Sequence, residues 1–318
     1  MIKKILDHNE SVGFTWDNLT ALNNYFRKQG DSLQRLPILE TAGVLEVLVE
    51  AEKLVFMYGA KGRRREQRTD LSWWDHESFS QIQVGAARLG RNQMSSNAPV
   101  LWHNPATLKA IQGENWFQVI AEDQASVVSI GSPLAALSSE IMLARMFGVE
   151  PFVPPHVTSV RPLPFFFVWR PDLAGNFRSA FGLTWRDLEA DYPELAKRNK
   201  FNKSSAFVLD GKAHESPTRA TEWTMHGIIA AQRRAAGNVW LVVSGLAGPA
   251  TFGTATMVKK LAEELPWSSG SASKVLWVPV KVKIEAGKAR SDDEGDIRQV
   301  KGSEFDGPPR MWPEPVAR

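Results

Sequence analysis

The stretch Val239–Leu261 constrains the fold of this chain more than any other, because an apolar, β-rich run passes through a glycine loop directly into a helical pattern. Gly245 and Gly248 permit backbone angles and close approaches that a Cβ would obstruct. Pro249 suits a first helical turn, where its missing N–H is not needed. The expected order is therefore strand, loop, helix. The unpaired N–H groups and partial positive charge of such a helix N-terminus favour an anionic ligand.

A second unit of the same kind begins with a buried-type strand at Ser126–Ser132 and continues through Pro133 into a helical pattern over Leu134–Phe147 that ends at Gly148. Further apolar runs alternate with a charged helical pattern, in the order Phe165–Trp169, Thr184–Arg198 and Ala206–Leu209. This alternation predicts an α/β fold with a mainly parallel sheet that is covered on both faces.

The last third of the chain predicts antiparallel pairing. Thr224–Gln232 and Val239–Ser244 flank a loop that is typical of a hairpin, so the two runs should pair. After a helix over Pro249–Leu265, the segment Lys274–Ile284 alternates apolar and basic residues, and an acidic turn then leads into a final strand at Ile297–Val300. We expect a C-terminal β-hairpin at the edge of the sheet, followed by a proline-rich tail.

The N-terminal region, residues 1–115, is predicted to be mainly helical, and residues 116–318 are predicted to form the ligand-binding α/β domain. Apolar residues recur at helical spacing over Thr15–Gln29 and again from Pro37 to near Gly59. Two helices joined by a turn are compatible with a helix-turn-helix. The second helix carries little positive charge, which favours a helical subdomain packed on the α/β body.

One basic cluster, Lys61–Arg68, is expected in a loop that precedes Trp73 and Trp74. Its central arginines could hold phosphates or a nucleic-acid backbone; they are Arg63, Arg64 and Arg65. Acidic residues nearly neutralise the surrounding region, so a solvated surface loop is the alternative. A further short helix is expected from Asn104-Pro105 to about Gly113.

Composition narrows the classes of function. The 318 residues, 43% of them hydrophobic and 23% charged, indicate a globular protein of about two domains. The absence of cysteine excludes disulfides, thiolate zinc sites, iron–sulfur clusters and a cysteine nucleophile, and it fits a reducing, cytoplasmic setting. A net charge of +3 is mild for a dedicated nucleic-acid binder. The sequence predicts neither a secretion signal nor a membrane span.

Two strand–loop–helix units in one parallel sheet bring their loops to the same carboxyl edge, where a crevice forms if they flank a topological switch point. Glycine, hydroxyl and N–H groups there suit phosphate or ribose. The candidate binding residues are Gly131, Ser132 and Ser138 from the first unit, and Ser244, Gly245, Gly248, Thr251 and Thr254 from the second. The glycines do not follow G-x-G-x-x-G and no P-loop lysine follows, so no NAD or ATP cofactor is indicated and the cofactor stays unknown. Tight turns alone would also account for these small residues.

Three side chains carry a catalytic alternative. Glu140, early in the helix behind the first loop, could polarise a ribosyl hydroxyl or stabilise an oxocarbenium-like centre, or could simply complement the helix dipole. His226 lies in the strand beside the glycine unit, and Asp210 lies just past another strand, near His214. Either could supply a titrating group. The spacing of the histidines does not indicate a metal site.

Three motifs in chain order carry a resemblance to known proteins. They are Gly131-Ser132-Pro133, then His226-Gly227-Ile228-Ile229, then Gly245-Leu246-Ala247-Gly248-Pro249-Ala250-Thr251. This order resembles an uncharacterised set of bacterial Rossmann-like proteins with a Gly-Gly-Pro loop, a Tyr-Gly strand motif and a Gly-x-x-Gly-x-Gly-Thr loop. The resemblance covers roughly residues 126–262, with His226 where tyrosine is usual and Ala250 in place of glycine. It implies a Rossmann-like three-layer fold and a shared pocket, without an established activity. A looser similarity to nucleoside deoxyribosyltransferase-like and TIR-like folds rests on Glu140 and implies fold only.

Three hypotheses of function follow. The first is a cytoplasmic protein, sensory or regulatory, that binds a nucleotide-like or other phosphorylated small molecule between the two loops. The second is a nucleoside or nucleotide N-glycoside hydrolase or transferase that uses Glu140, assisted by His226 or Asp210. The third is a DNA-binding regulator that uses residues 15–68. The sequence predicts no membrane partner and leaves a homo-oligomer open.

Overall fold

The computed structural model describes residues 43–63, 68–71, 73–89, 96–101, 108–154, 163–169, 178–184, 205–216, 221–261, 274–286 and 298–313, together with residues 189, 193 and 265. Several predicted features lie outside these residues. They are the helix over Thr15–Gln29, the residues Arg64 and Arg65, the start of the helix at Asn104-Pro105, and nearly all of the helix over Thr184–Arg198.

Within these ranges, the helices are α1 (Val44–Val49), α2 (Trp73–Arg88), α3 (Leu108–Ile111), α4 (Asn115–Ala121), α5 (Leu137–Phe147) and α6 (Gly248–Ala255), and a 3-10 turn follows at Val258–Lys260. The strands are β1 (Leu54–Arg63), β2 (Arg68–Leu71), β3 (Ser96–Leu101), β4 (Ser126–Ile130), β5 (Phe165–Trp169), β6 (Gly182–Thr184), β7 (Ser205–Leu209), β8 (Lys212–Ser216), β9 (Glu222–Arg233), β10 (Val239–Gly245), β11 (Val275–Glu285), β12 (Gln299–Phe305) and β13 (Arg310–Trp312).

The larger sheet has the order β12-β11-β9-β10-β4-β1-β2, with β3 also paired to β1 and β13 to β11. Its pairs β10/β4, β4/β1 and β1/β3 are parallel. The pairs β1/β2, β9/β10, β9/β11, β11/β12 and β11/β13 are antiparallel. A smaller sheet has the order β6-β5-β7-β8 and is also mixed.

The prediction of a mainly parallel, Rossmann-like α/β sheet is therefore wrong. Both sheets are mixed, and strands account for more of the described residues than helices do. The physical reason is that a strand buried on both faces is apolar throughout, whatever the direction of its neighbours. Every residue of β10 is buried, although one of its neighbours is parallel and the other antiparallel. Composition alone therefore did not reveal the strand direction.

The larger sheet is covered on both faces. On one face, α1, α2 and α6 pack on apolar side chains of β1, β4, β10 and β11, such as Phe56, Val128 and Leu241. On the other face, α4 and α5 pack beside the smaller sheet, which contributes Phe165 and Phe207 to a core that includes Trp277. The smaller sheet therefore occupies a place that a helix would take in a purely α/β arrangement.

Several local predictions are confirmed. β4 leads through a turn into α5, which ends at Gly148 in a left-handed conformation with φ of 71°, as a C-terminal glycine allows. β9 and β10 pair antiparallel across the turn predicted for them. The β11/β12 hairpin lies at the edge of the sheet, although β12 extends to Phe305, beyond the predicted end at Val300.

The N-terminal predictions are less accurate. Within the residues described from 43 onwards, the predicted helix ending near Gly59 covers only α1, because Val55 and Phe56 belong to β1 in the larger sheet. The predicted loop over Lys61–Arg68 is replaced in part by β1 and β2, and Arg63 is the last residue of β1. The helix expected over Pro249–Leu265 is shorter, since α6 ends at Ala255.

The division at residue 115 stays a prediction. Within the described part of residues 1–115, three strands contribute to the same sheet as β4 and β10. None of the helices in the described ranges is long and apolar enough to cross a membrane.

Candidate functional site

The two predicted loops meet at the carboxyl ends of β4 and β10, which are parallel neighbours. The N–H of Gly131, just after β4, donates a 3.0 Å hydrogen bond to the carbonyl of Val243 in β10. The helices that follow these strands lie on opposite faces of the sheet, because α5 packs with Val127 and Val242 whereas α6 packs with Val128 and Val243. Adjacent parallel strands whose connections leave to opposite faces define a topological switch point, which is where ligands bind in sheets of this kind.

Both helices at this point begin without a side-chain cap. The N-cap residue is Ala136 for α5 and Ala247 for α6, and neither makes a side-chain hydrogen bond to the first turn. A helix N-terminus without a capping side chain leaves backbone N–H groups for another acceptor. The turn before α5 is closed by the carbonyl of Ser132, which accepts the N–H groups of Ala135 (2.9 Å) and Ala136 (2.8 Å).

The glycines of the two loops are required by close packing and by backbone conformation. Gly131 has φ of +118°, a region that side chains rarely adopt. A Cβ on Gly245 would overlap the backbone of α6 at Thr251, and one on Gly248 would lie 2.6 Å from Cδ1 of Trp74. The space that the last two glycines leave is therefore filled by protein atoms.

Most of the predicted hydroxyl ligands are used within the fold. Ser138 is buried and its Oγ lies 2.7 Å from Oγ of Ser129 in β4. Thr251 and Thr254 are both buried, and their hydroxyls donate to the carbonyls of Ala247, the N-cap of α6, and of Ala250, at 3.3 and 2.7 Å. Ser244 differs, because its Oγ is fully buried at the end of β10 and has no hydrogen-bond partner in the described part of the chain. Buried hydroxyls are normally paired, so Ser244 is a candidate for contact with a ligand or a water molecule.

Asp75 is a site residue that the sequence reasoning missed. It lies in the first turn of α2, beside Trp74, and its side chain is only 5% exposed. Its Oδ2 would lie 3.9 Å from a Cβ added to Gly131, so the carboxyl group faces the first loop. No hydrogen bond or ion pair joins it to another described residue, and burial raises its pKa to about 7.

A signal for this residue was present in the sequence. Ser72-Trp73-Trp74-Asp75 has a capping-type residue followed by an acidic residue in the first turn, which is typical of a helix start. The loop was predicted only for the preceding Lys61–Arg68, and no element was assigned to Ser72–Asp75, so the helix was not predicted.

Glu140 lies on α5 and holds two connecting segments in place. Its Oε1 accepts the N–H groups of Phe152 and Ala180, both at 2.7 Å, and its Oε2 accepts the hydroxyl of Ser179 at 2.6 Å. The side chain is fully buried; burial raises the pKa of this carboxyl, and the three hydrogen bonds oppose that rise. With both oxygens engaged by the protein, the carboxylate is built into the fold and does not face the two loops.

Asp210 lies in the turn between β7 and β8, on the smaller sheet, with φ of +50°. Nη1 of Arg310 donates hydrogen bonds to both carboxylate oxygens of Asp210, at 2.8 Å to Oδ1 and 2.7 Å to Oδ2. These bonds connect the turn to β13, which contains Arg310. The structure therefore does not bring Asp210 to the switch point. Of the three arginines named for the DNA-binding alternative, only Arg63 falls within the described backbone, as the last residue of β1.

His226 lies beside the second loop through its backbone, since its carbonyl accepts the N–H of Leu246 at 2.9 Å. Its side chain faces the smaller sheet. The ring stacks on Phe207 at 5.5 Å, lies 4.9 Å from the ring of His214, and places Nε2 at 3.4 Å from Oδ2 of Asp306. Burial, and then the neighbouring His214, lower the pKa of His226 to about 4, so the imidazole is neutral at pH 7.

The structure thus brings together Gly131, Ser132, Gly245, Gly248 and Asp75, and it separates Glu140 and Asp210 from them. The side chain of Ser244 shares the face of Val242, on the side of α5, and so lies on the other face of the sheet from α2. No protein-family model matches the chain, and no similar protein was found among curated sequences or solved structures.

Proposed function

We propose that this protein binds a small phosphorylated molecule that also carries hydroxyl groups, such as a nucleotide or a sugar phosphate, at the carboxyl ends of β4 and β10. The observation that carries the proposal is the buried carboxyl group of Asp75, unpaired with any described residue, at the point where the uncapped helices α5 and α6 begin. A buried polar group without a partner is costly, and a bound ligand would supply the partner.

The polar groups at the carboxyl ends of β4 and β10 favour a ligand that carries both an anionic group and a hydrogen-bond donor. The helix N-termini suit an anion such as phosphate, whereas the carboxyl group of Asp75 suits a hydroxyl or amino donor and would repel a second anion. A ribose or other sugar bearing a phosphate offers both.

The proposal is for binding, as in a sensory or regulatory protein. The hydrolase or transferase alternative requires a free carboxylate at Glu140, and that carboxylate accepts three hydrogen bonds from the protein itself. A cytoplasmic location remains part of the proposal, and the complete absence of cysteine supports it.

The test is isothermal titration calorimetry with nucleoside monophosphates, nucleoside diphosphates, sugar phosphates and the matching unphosphorylated compounds. We expect saturable binding of a phosphorylated compound, with weaker binding of its unphosphorylated counterpart. Asp75→Asn should weaken the binding by about tenfold or more, because it removes a charge-assisted hydrogen bond.

Glu77→Gln is the matched control, since Glu77 lies two residues away in α2 with 32% of its side chain exposed. This variant should bind as the wild type does. If no compound of the panel binds, the proposal fails. If a compound binds equally well to the wild type and to Asp75→Asn, the ligand site lies elsewhere.

A further inference from the structure

We propose that His214, His226 and Asp306 form a binding site for a divalent transition-metal ion, independent of the ligand site at the ends of β4 and β10. The three residues come from separate elements: His214 from β8, His226 from β9, and Asp306 from the position directly after β12. One ligand atom from each lies within 4.8 Å of the other two.

The distances are close to those of a metal site. Tetrahedral coordination at metal–ligand bonds of about 2.0 Å separates the ligand atoms by roughly 3.3 Å. The Nε2–Oδ2 distance of 3.4 Å between His226 and Asp306 already has this value. His214 is only partly buried, in the edge strand of the smaller sheet, so rotation of its side chain can bring the third ligand atom closer.

An independent observation points to a ligand. His226 is 3% exposed, and both of its ring nitrogens are buried without a hydrogen-bond partner in the described part of the chain. Oδ2 of Asp306 is also buried, and its contact among the described residues is the 3.4 Å approach of Nε2 of His226, which does not meet hydrogen-bond geometry. Burying the imidazole of His226 beside this carboxylate oxygen costs free energy when neither group forms a hydrogen bond. A cation coordinated by the lone pairs of both groups would offset that cost.

Lys281 contacts Asp306, one of the three proposed metal ligands. Its Nζ donates a 2.7 Å hydrogen bond to Oδ1 of Asp306, so one carboxylate oxygen is held while the other is turned towards His226. Partners of this kind orient ligating carboxylates in metal sites. The set of two imidazoles and one carboxylate suits zinc, iron(II) or cobalt(II), and it leaves coordination positions for water or another molecule. A bound ion would also link the smaller sheet to the larger one.

The test uses cobalt(II) and zinc, added to the metal-free full-length protein. We expect one ion to bind per chain by calorimetry, and visible absorption bands of protein-bound cobalt(II) that zinc abolishes. His214→Ala and Asp306→Asn should each lower the affinity by about tenfold or more. These two residues are chosen because they are less buried than His226, whose replacement could prevent folding.

His76→Ala is the matched control, since this histidine lies on α2 with 59% of its side chain exposed and outside the cluster. It should bind both ions as the wild type does, and circular dichroism should show that all three variants are folded. Absence of saturable binding to the wild type overturns the proposal. Equal affinity of the wild type and a folded His214→Ala variant also overturns it.

Discussion

At the scale of single residues, Asp75 is subject to two opposing effects on its charge. Its position in the first turn of α2 favours a negative charge, because the helix dipole is positive there. Burial opposes this effect, and no described residue pairs with the carboxyl group. Burial is the stronger effect, since the pKa rises from 3.8 to about 7. The carboxyl group is therefore about half ionised at neutral pH. Its protonated form can donate a hydrogen bond to a ligand, and its ionised form can accept one.

This shift predicts a pH dependence of stability. The folded state keeps the proton of Asp75 up to about pH 7, whereas the unfolded chain releases it near pH 3.8, so the contribution of Asp75 to stability falls as the pH rises from about 4 to 7. Asp75→Asn removes this decline. Relative to the wild type, the variant should gain about 2 to 3 kcal/mol of unfolding free energy between pH 5 and pH 8. Urea denaturation at the two pH values measures the difference.

Glu77→Gln again serves as the control, because Glu77 is on the same helix but reaches solvent. Its unfolding free energy should follow that of the wild type at both pH values. A parallel pH dependence in the wild type and in Asp75→Asn would show that the carboxyl group does not titrate near pH 7.

At the scale of elements, α6 depends on a glycine in its last turn. A Cβ on Gly253 would overlap the side chain of Val282 in β11 and lie 2.7 Å from Oγ of Ser303 in β12. Helix propensity alone predicts that Gly253→Leu stabilises the protein by somewhat less than about 1 kcal/mol. The close packing predicts the opposite sign, a loss of about 1 to 3 kcal/mol, because α6 must move away from the β11/β12 hairpin. Chemical denaturation measures the sign directly.

Gly113→Leu is the size-matched control, since a Cβ there meets nothing within 4 Å. It should change stability by no more than about 0.5 kcal/mol. A Gly253→Leu variant as stable as the wild type would mean that α6 is not docked tightly on the hairpin.

Elements that are encoded locally were predictable from the sequence, and their directions in the sheet were not. β4, β10 and the β9/β10 hairpin follow from apolar runs and the turns between them. Val55 and Phe56 fit a helical stripe equally well and were assigned to the wrong element, because a short apolar run does not distinguish a buried strand from a helix. The parallel or antiparallel choice depends on partners far away in sequence.

The same limit applies to the sites. The pairing of the loops after β4 and β10 was predicted, because both loops follow neighbouring parallel strands. Asp75 reaches the first loop from a helix more than 50 residues earlier, and Asp306 joins His226 from beyond β12. Neither of these two contacts corresponds to a motif spacing that could be recognised in the sequence. Histidine spacing was therefore no guide to the cluster of His214, His226 and Asp306.

At the scale of the whole molecule, one aromatic core joins the two sheets. Phe165 of β5 contacts Phe207 of β7 at 6.1 Å and Trp277 of β11 at 5.3 Å, measured between ring centroids. All three side chains are fully buried in the core that also contains α5. Because each sheet buries its apolar face against the other, we expect the two sheets to unfold as a single cooperative unit.

Phe165→Ala tests this expectation. It should lower the free energy of unfolding by about 3 to 5 kcal/mol, because it leaves a cavity between the sheets. Hydrogen exchange, measured by mass spectrometry, should show reduced protection by the same free energy in peptides that contain β7 and in peptides that contain β10. Val84→Ala, at a position on α2 that is 50% exposed, should leave both unchanged. Loss of protection in β7 with β10 unaffected would mean that the smaller sheet opens by itself while the larger sheet stays folded.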